Sequence, residues 1–251
     1  MKNNQAKILV YLSVLSVFIL LIIFAYYQAV FIQNPSTNQN TNSNSLIING
    51  GDLELGYDPL ITTVPKELQS LQSKSNIFIS TFDPKIGSNQ AKVIITLFAD
   101  LSNPDLPDLF NILEEVYADN PEDLVVVWKD FVAITDPPSV SLKAAEAVHC
   151  AHDQQKFWDL FKYLLNNQGS FDENFFKEAA KTKGLDYEVF LPCFENSMMK
   201  PVVEQSYYYS ETVGVEKAPT IFVNDEKLED DITKEKIEEK VNNILDALKQ
   251  E

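Results

Sequence analysis

The residues with the greatest chemical potential in this sequence are its two cysteines and two histidines. His149, Cys150 and His152 lie close together, and Cys193 follows far along the chain. Thiolates exchange disulfides and bind metals, and imidazoles act as bases or as metal ligands. Four such residues are too few for a multi-ligand zinc framework, and no carboxylate at helical spacing completes the His149–His152 pair. We therefore predict no metal, no cofactor, and surface or capping roles for the histidines.

The composition excludes several classes of protein. The chain has 251 residues, of which 45% are hydrophobic and 23% charged, and these values are typical of a globular protein. The net charge is −17, and all 20 basic residues are lysines. A nucleic-acid binder needs a basic face and favours Arg for phosphate contacts, so we predict no nucleic-acid partner. Only seven glycines are present, and they form no phosphate-binding loop.

An apolar segment without charges occupies residues 8–32. It exceeds the ~20 residues that cross a bilayer, and it is too long for the apolar region of about 7–15 residues in a cleaved signal peptide. Lys2 and Lys7 precede it, while acidic residues follow first on the other side. Because positive charge stays in the cytoplasm, we predict a single-pass signal-anchor helix in the cell membrane, with a cytoplasmic tip at residues 1–7 and the domain extracytoplasmic. Residues 33–75 are predicted to be a flexible linker and lead-in.

The strands and helices predicted after residue 75 must position any functional site. Apolar runs of strand type alternate with amphipathic helical segments, and the first strand–helix–strand unit implies a parallel strand pair. The final helix is expected to begin at about Thr233. The predicted strands cover 76–82, 92–99, 124–131 and 220–223, with a short return at 227–228; the predicted helices cover 104–117, several segments within 141–213, and the C-terminal segment.

Five short stretches carry a more specific pattern. They are Asp83-Pro84-Lys85-Ile86-Gly87 with Ala91-Lys92-Val93, Phe98-Ala99-Asp100-Leu101, Trp128-Lys129-Asp130-Phe131, residues 144–157 (AAEAVHCAHDQQKF) with Cys193, and residues 214–224 (GVEKAPTIFVN). In this order and spacing they resemble the DsbA-like branch of the thioredoxin superfamily. The resemblance implies an α/β thioredoxin-like fold over residues 76–251, with a helical insertion at about 140–213.

The sequence departs from that family at the position of the active site. The family places Cys-x-x-Cys where the strand meets the helix, and this chain has Asn103-Pro104-Asp105-Leu106 there. Exchange of a disulfide needs one thiolate to attack and a second thiol to resolve the intermediate, and neither Asn nor Leu does this. We therefore predict no catalytic residue at this degenerate position. Asn103 suits an N-cap and Pro104 a first helical residue, although Pro107 favours a kink or a later start.

The resemblance also implies two features outside that position. The Ala218–Pro219 peptide bond is expected to be cis, and Ala218 and Pro219 would form a peptide-binding groove with Asn103 and Pro104. Cys150 and Cys193 are expected to form a structural disulfide, as in related proteins. The alternative is that these two cysteines are themselves a redox centre, although they lack the Cys-x-x-Cys spacing.

These observations lead to two hypotheses about function. The first is a membrane-anchored, extracytoplasmic thioredoxin-fold protein without redox catalysis, which binds or scaffolds exported protein or peptide segments, or a membrane protein partner. The second is a thiol–disulfide oxidoreductase or isomerase of the DsbA type that acts through Cys150 and Cys193. The empty active-site position favours the first, and an enzyme remains the alternative.

Overall fold

A five-stranded mixed sheet forms the centre of the computed structural model, which describes residues 66–228 and 232–250. The strand order is β1-β3-β2-β4-β5; β2 and β3 are parallel, and the other pairs are antiparallel. Every residue of β2 and β3 is buried, because both faces of the sheet are covered. The strands are β1 (Lys85–Gly87), β2 (Val93–Ala99), β3 (Leu124–Asp130), β4 (Thr220–Val223) and β5 (Glu226–Lys227).

The predicted helical insertion is confirmed as five helices between β3 and β4. Short 3₁₀ turns lie at Lys66–Leu68 and Gln168–Ser170. The helices in the described residues are α1 (Gln69–Gln72), α2 (Leu106–Asp119), α3 (Val140–Cys150), α4 (Phe157–Leu165), α5 (Glu173–Thr182), α6 (Tyr187–Glu195), α7 (Lys200–Thr212) and α8 (Lys234–Leu248). Thr233 caps α8, because its side chain accepts a hydrogen bond from the backbone N–H of Lys236.

One face of the sheet is covered by α2, α8 and the helices α3 to α6 of the insertion. The apolar residues of α2 are buried at the spacing expected of one helix face, as are three residues of α8. They join one large core that includes the aromatic residues of α4. The buried residues on α2 and α8 are Leu106, Leu109, Phe110, Leu113, Val116, Ile237, Val241 and Leu245.

The opposite face is covered by the lead-in, whose described part begins at Lys66, and by α7, whose Tyr209 packs against Phe98 and Phe222. Leu68, Leu71 and Ile79 are buried and pack on the sheet in one cluster with Ile94 and Val125. Residues 66–75, which the sequence assigns to the lead-in, therefore complete the core of this face. Burying three such side chains contributes about 1.5–3 kcal/mol for each.

The prediction of a strand at residues 76–82 is wrong, although buried and exposed residues do alternate in this segment. Ile79 is buried, whereas Phe78 is 40% exposed. The backbone N–H groups here donate to side chains rather than to a neighbouring strand: Phe78 to the hydroxyl of Tyr209 at 2.6 Å and Ile79 to Oε1 of Gln72 at 3.1 Å. Side-chain acceptors thus replace the hydrogen bonds that a neighbouring strand would make. The alternating burial of these residues reflects only their packing on the sheet.

The first helix of the fold begins later than Pro104. α2 starts at Leu106, so Pro107 lies in its first turn, where a backbone N–H has no intrahelical partner to lose. This is the later start that Pro107 favours.

The predicted membrane anchor and flexible linker, residues 8–32 and most of 33–75, lie outside the described residues. Across residues 66–228 and 232–250, none of the helices has the length and apolar character that crossing a membrane requires.

Candidate functional site

The tip of α2 is a tight turn at the carboxyl end of β2, held by its own polar groups. The carboxylate of Asp100, which is partly exposed, accepts a hydrogen bond from the backbone N–H of Ser102 at 2.7 Å. The side-chain oxygen of Asn103 accepts one from the N–H of Asp105 at 2.8 Å. The carbonyl of Asn103 accepts the N–H of Leu106 at 3.1 Å. Asn103 therefore caps the turn before the helix rather than the helix itself.

The loop before β4 reaches the same edge of the sheet. The Ala218–Pro219 bond is cis, as the resemblance implies. Thr220 pairs with Phe98 near the end of β2, which brings Ala218 beside the tip. Nδ2 of Asn103 donates a hydrogen bond to the carbonyl oxygen of Ala218 at 3.1 Å. A side-chain amide thus links the two segments.

The insertion holds the tip from the other side through Gln168. Nε2 of Gln168 donates to the carbonyl oxygens of Leu101 and Asn103, both at 2.8 Å. Gln168 belongs to the short turn after α4 and carries no recognisable sequence signal. The tip is therefore fixed between the insertion and the Ala218 loop by three neutral hydrogen bonds.

A groove of about 400 Å³ lies below this contact. Asp105, Asp108, Leu109 and Ile112 form the helix side, and residues 217–220 with Lys227, Leu228 and Ile232 form the opposite side. Of the residues predicted to form a groove, Ala218 and Pro219 line it. Asn103 instead contacts the Ala218 carbonyl, Pro104 is exposed, and Leu106 is fully buried in the core.

The two cysteines are joined in the insertion. A disulfide connects Cys150 at the end of α3 with Cys193 in α6, and their Cα atoms are 5.9 Å apart. The two residues are only 3% and 8% exposed. Closing a loop of 43 residues stabilises the fold by about 4 kcal/mol in the chain-entropy account. Such burial keeps an attacking thiolate away and is typical of a structural disulfide.

His149 is not a surface or capping residue, and that prediction is wrong. It is 3% exposed, and its Nε2 lies 2.6 Å from Oδ2 of Asp130 at the end of β3. The other carboxylate oxygen of Asp130 accepts a hydrogen bond from the indole N–H of Trp128 at 3.0 Å. The network ties the insertion to the sheet next to the disulfide, because Cys150 follows His149 directly. Buried polar groups need such partners.

A buried ion pair joins β3 to the segment that follows the lead-in. Nζ of Lys129 lies 2.6 Å from Oδ2 of Asp83, and both side chains are almost fully buried. The ammonium also lies over the rings of Phe78 and Tyr209, at 5.9 and 5.1 Å from their centroids. Burial lowers the pKa of the nearby Lys85, although the charge of Asp83 opposes this shift.

The candidate nucleophile at the tip of α2 is a hydroxyl group. Ser102 is the hydroxyl nearest to Asn103 in sequence, and its buried oxygen has no hydrogen-bond partner in the described residues that would activate it. No group of three or more metal-ligating side chains occurs within residues 66–228 and 232–250. What the site offers is an apolar groove with charged walls and exposed backbone near a cis-proline.

Comparison with known proteins gives one family and many similar folds. A family model described as Thioredoxin matches residues 80–243. No curated protein matches the chain. Among solved structures, oxidised BdbD from Bacillus subtilis is 21% identical, covers 66% of this chain and 94% of its own length, and superposes with a TM-score of 0.58.

Two further structures give the same result. The thiol-disulfide exchange protein alpha-DsbA2 from Wolbachia pipientis is 21% identical, with 70% of this chain and 93% of its own covered and a TM-score of 0.57. A thioredoxin-like oxidoreductase from Silicibacter pomeroyi is 18% identical, with 70% and 96% covered and a TM-score of 0.56. At these identities the likeness concerns the fold.

Proposed function

This chain belongs to the thioredoxin family, and from that premise we propose that it is a membrane-anchored, extracytoplasmic binding module that holds extended peptide segments without redox chemistry. The observation that carries the proposal is the contact between Asn103 and Ala218. An amide, not a thiol, stands at the tip of α2, and the groove beside it is open.

The geometry is compatible with binding an extended segment. The carbonyl of Ala218 has two acceptor lone pairs, and Asn103 uses one of them. The apolar side chains of Leu109, Ile112 and Leu228 offer a surface for a side chain of the segment. Main-chain pairing together with a side-chain pocket is a general mode of peptide recognition.

The anchoring part of the proposal rests on the sequence. Residues 8–32 form an uncharged apolar run, and Lys2 and Lys7 precede it. Such an anchor would hold the domain at the outer membrane face, where exported segments emerge. The binding partner is then an exported protein or peptide segment, or a membrane protein partner.

The test uses the purified full-length chain in detergent micelles. We expect no insulin reduction above the rate of the chemical reductant alone, and we expect saturable binding of a fluorescein-labelled extended peptide followed by anisotropy. Ile112→Trp fills the groove and should abolish this binding. Ile244→Trp, the same change at a partly buried isoleucine of α8, should not. Enzymatic turnover of insulin, or binding unaffected by Ile112→Trp, would contradict the proposal.

The second candidate is a thiol–disulfide oxidoreductase that uses Cys150 and Cys193. The observation in its favour is that these cysteines do form a disulfide, while the small exposure of both residues argues against exchange with a substrate. The variant Cys150→Ser separates the two candidates. Loss of a measurable redox activity in a folded protein favours the enzyme, whereas loss of stability with no activity to lose favours the binding module.

A further inference from the structure

The groove beside the cis-proline is lined by residues of uneven charge. Its floor is apolar, its helix wall carries Asp105 and Asp108, and its opposite wall carries Lys217 and Lys227. Both aspartates are exposed, so their carboxylates reach the opening of the groove. Because acidic residues lie on one wall and basic residues on the other, a charged ligand would bind in a preferred orientation.

The other acidic residues of α2 are neutralised by lysines. Glu114 pairs with Lys162, and Glu115 and Asp119 both pair with Lys234, at 3.0 and 3.7 Å. In contrast, neither Asp105 nor Asp108 makes an ion pair within residues 66–228 and 232–250. The two carboxylates at the groove are therefore the acidic groups of this helix region that remain available to a ligand.

From this we infer that the groove selects an extended segment in which an apolar residue stands next to Lys or Arg. The inference rests on the proposed function and names the class of segment that the same site would take. The apolar side chain would lie on Ile112 and Leu228, and the basic side chain would approach Asp105 and Asp108. Arg suits this position well because its guanidinium contacts carboxylates with two parallel hydrogen bonds.

The overall charge of the chain acts in the same direction. A net charge of −17 attracts basic segments over longer distances and repels acidic ones. The ammonium group of Lys227 on the opposite wall disfavours a basic group there, so the segment would bind in one orientation. An acidic residue next to the apolar one would lie against the carboxylates of Asp105 and Asp108, and this repulsion would weaken its binding.

The experiment measures binding of three labelled decapeptides to the full-length chain in detergent micelles. All three share a threonine- and serine-rich extended sequence and differ at one central pair, which is Leu-Lys, Leu-Gln or Leu-Glu. Each exposed charge pair is worth little, so we expect the Leu-Lys peptide to bind roughly fivefold more tightly than the Leu-Glu peptide at low salt. The difference should shrink between about 0.01 and about 1 M salt, where the Debye length falls from ~30 to ~3 Å.

Charge reversal supplies the matched test. Asp105→Lys combined with Asp108→Lys should reverse the preference, so that the Leu-Glu peptide binds more tightly. Asp105→Asn combined with Asp108→Asn should remove the preference, and it keeps the inference testable if the lysine variant fails to fold. Glu173→Lys is the control, because Glu173 is an exposed acid in the first turn of α5, away from the groove.

The outcomes test separately the selectivity of the groove and its ability to bind a peptide. Equal binding of the three peptides, or a preference that survives both double variants, would overturn the inference and leave the proposed function intact. Failure of every peptide to bind the wild-type chain would overturn the proposed function as well. A preference that reverses in the lysine variant but persists in Glu173→Lys supports the inference.

Discussion

The tip of α2 and the helical insertion both join segments that are distant in sequence, but they use different chemistry. In the insertion, Cys150 and Cys193 are bonded covalently, and a buried His149–Asp130 contact lies beside them. At the tip, Asn103 contacts the Ala218 carbonyl through one neutral hydrogen bond at a partly exposed site. The insertion contacts are strong because they are covalent or buried, whereas the tip contact is weak and reversible.

This difference separates stability from binding in the molecule. Sulfur is present where burial makes it inert and where it closes a long loop. At the open edge of the sheet, the amide of Asn103 forms the link, and the groove lies beside it. We therefore expect substitutions in the insertion to lower stability strongly, and substitutions at the tip to change binding with little loss of stability.

The largest effect is expected from the disulfide. Cys150→Ala combined with Cys193→Ala should lower the free energy of unfolding by about 4 kcal/mol, because the unfolded chain regains the entropy of a long loop. Urea unfolding of the full-length chain, followed by tryptophan fluorescence, measures the change. Peptide binding at low temperature should persist in this variant. A loss below about 1 kcal/mol would remove the contrast between the two regions.

The second-largest loss of stability is expected from the buried histidine, His149. His149→Ala removes one hydrogen-bond partner of the buried Asp130 carboxylate and leaves its contact with the Trp128 indole, and a buried polar group that loses a partner costs about 2 kcal/mol. The same unfolding measurement applies. The double variant His149→Leu with Asp130→Leu removes both polar groups and should be less destabilised than His149→Ala. The reverse order would show that packing, and not the polar contact, dominates at this position.

Parts of the molecule follow from the residues alone, because their signals are local. The nearly continuous apolar run of β2, the apolar start of β3 and the cap at Thr233 are patterns that need no knowledge of distant segments. The alternation in residues 76–82 does not form a strand, because the side chains of Tyr209 and Gln72 accept the hydrogen bonds of backbone N–H groups in this segment in place of a neighbouring strand.

The geometry of the site could be predicted only in part, because it also depends on contacts between residues that are distant in the sequence. The resemblance points to Asn103 and Pro219 separately, but the bond from Asn103 to Ala218 joins residues 115 positions apart and depends on the side-chain rotamer. Gln168 has no signal at all, because a single glutamine in a loop is compatible with many roles. The burial of His149 follows from the position of α3 on the end of β3, which the sequence does not specify.

A smaller effect is expected at the tip. Asn103→Asp keeps the oxygen that caps the turn and loses the N–H donor to Ala218, whereas Asn103→Ala loses both. Each lost hydrogen bond should lower the free energy of unfolding by about 1 kcal/mol. Because the Ala218 carbonyl becomes free, Asn103→Ala should bind the extended peptide more tightly than the wild type in anisotropy measurements. Weaker binding by Asn103→Ala would mean that the contact organises the site for its ligand.

The smallest effect is expected at His152, where the insertion approaches the Asp83–Lys85 segment. Burial is the largest cause that lowers the pKa of His152 below its ordinary value of 6.5, and the charge of His149 adds to it, while Asp153 opposes it. Because the unfolded chain then binds more protons than the folded chain, stability falls as the pH is lowered through 6.5 towards the lower folded pKa. Replacing His152 with Gln removes this titration, so the urea midpoint of His152→Gln should fall less than that of the wild type between pH of about 7.5 and about 5.5. Other acid-linked changes are shared by the two proteins and cancel in the difference. Parallel pH profiles would mean that His152 has the same proton affinity in the folded and the unfolded chain.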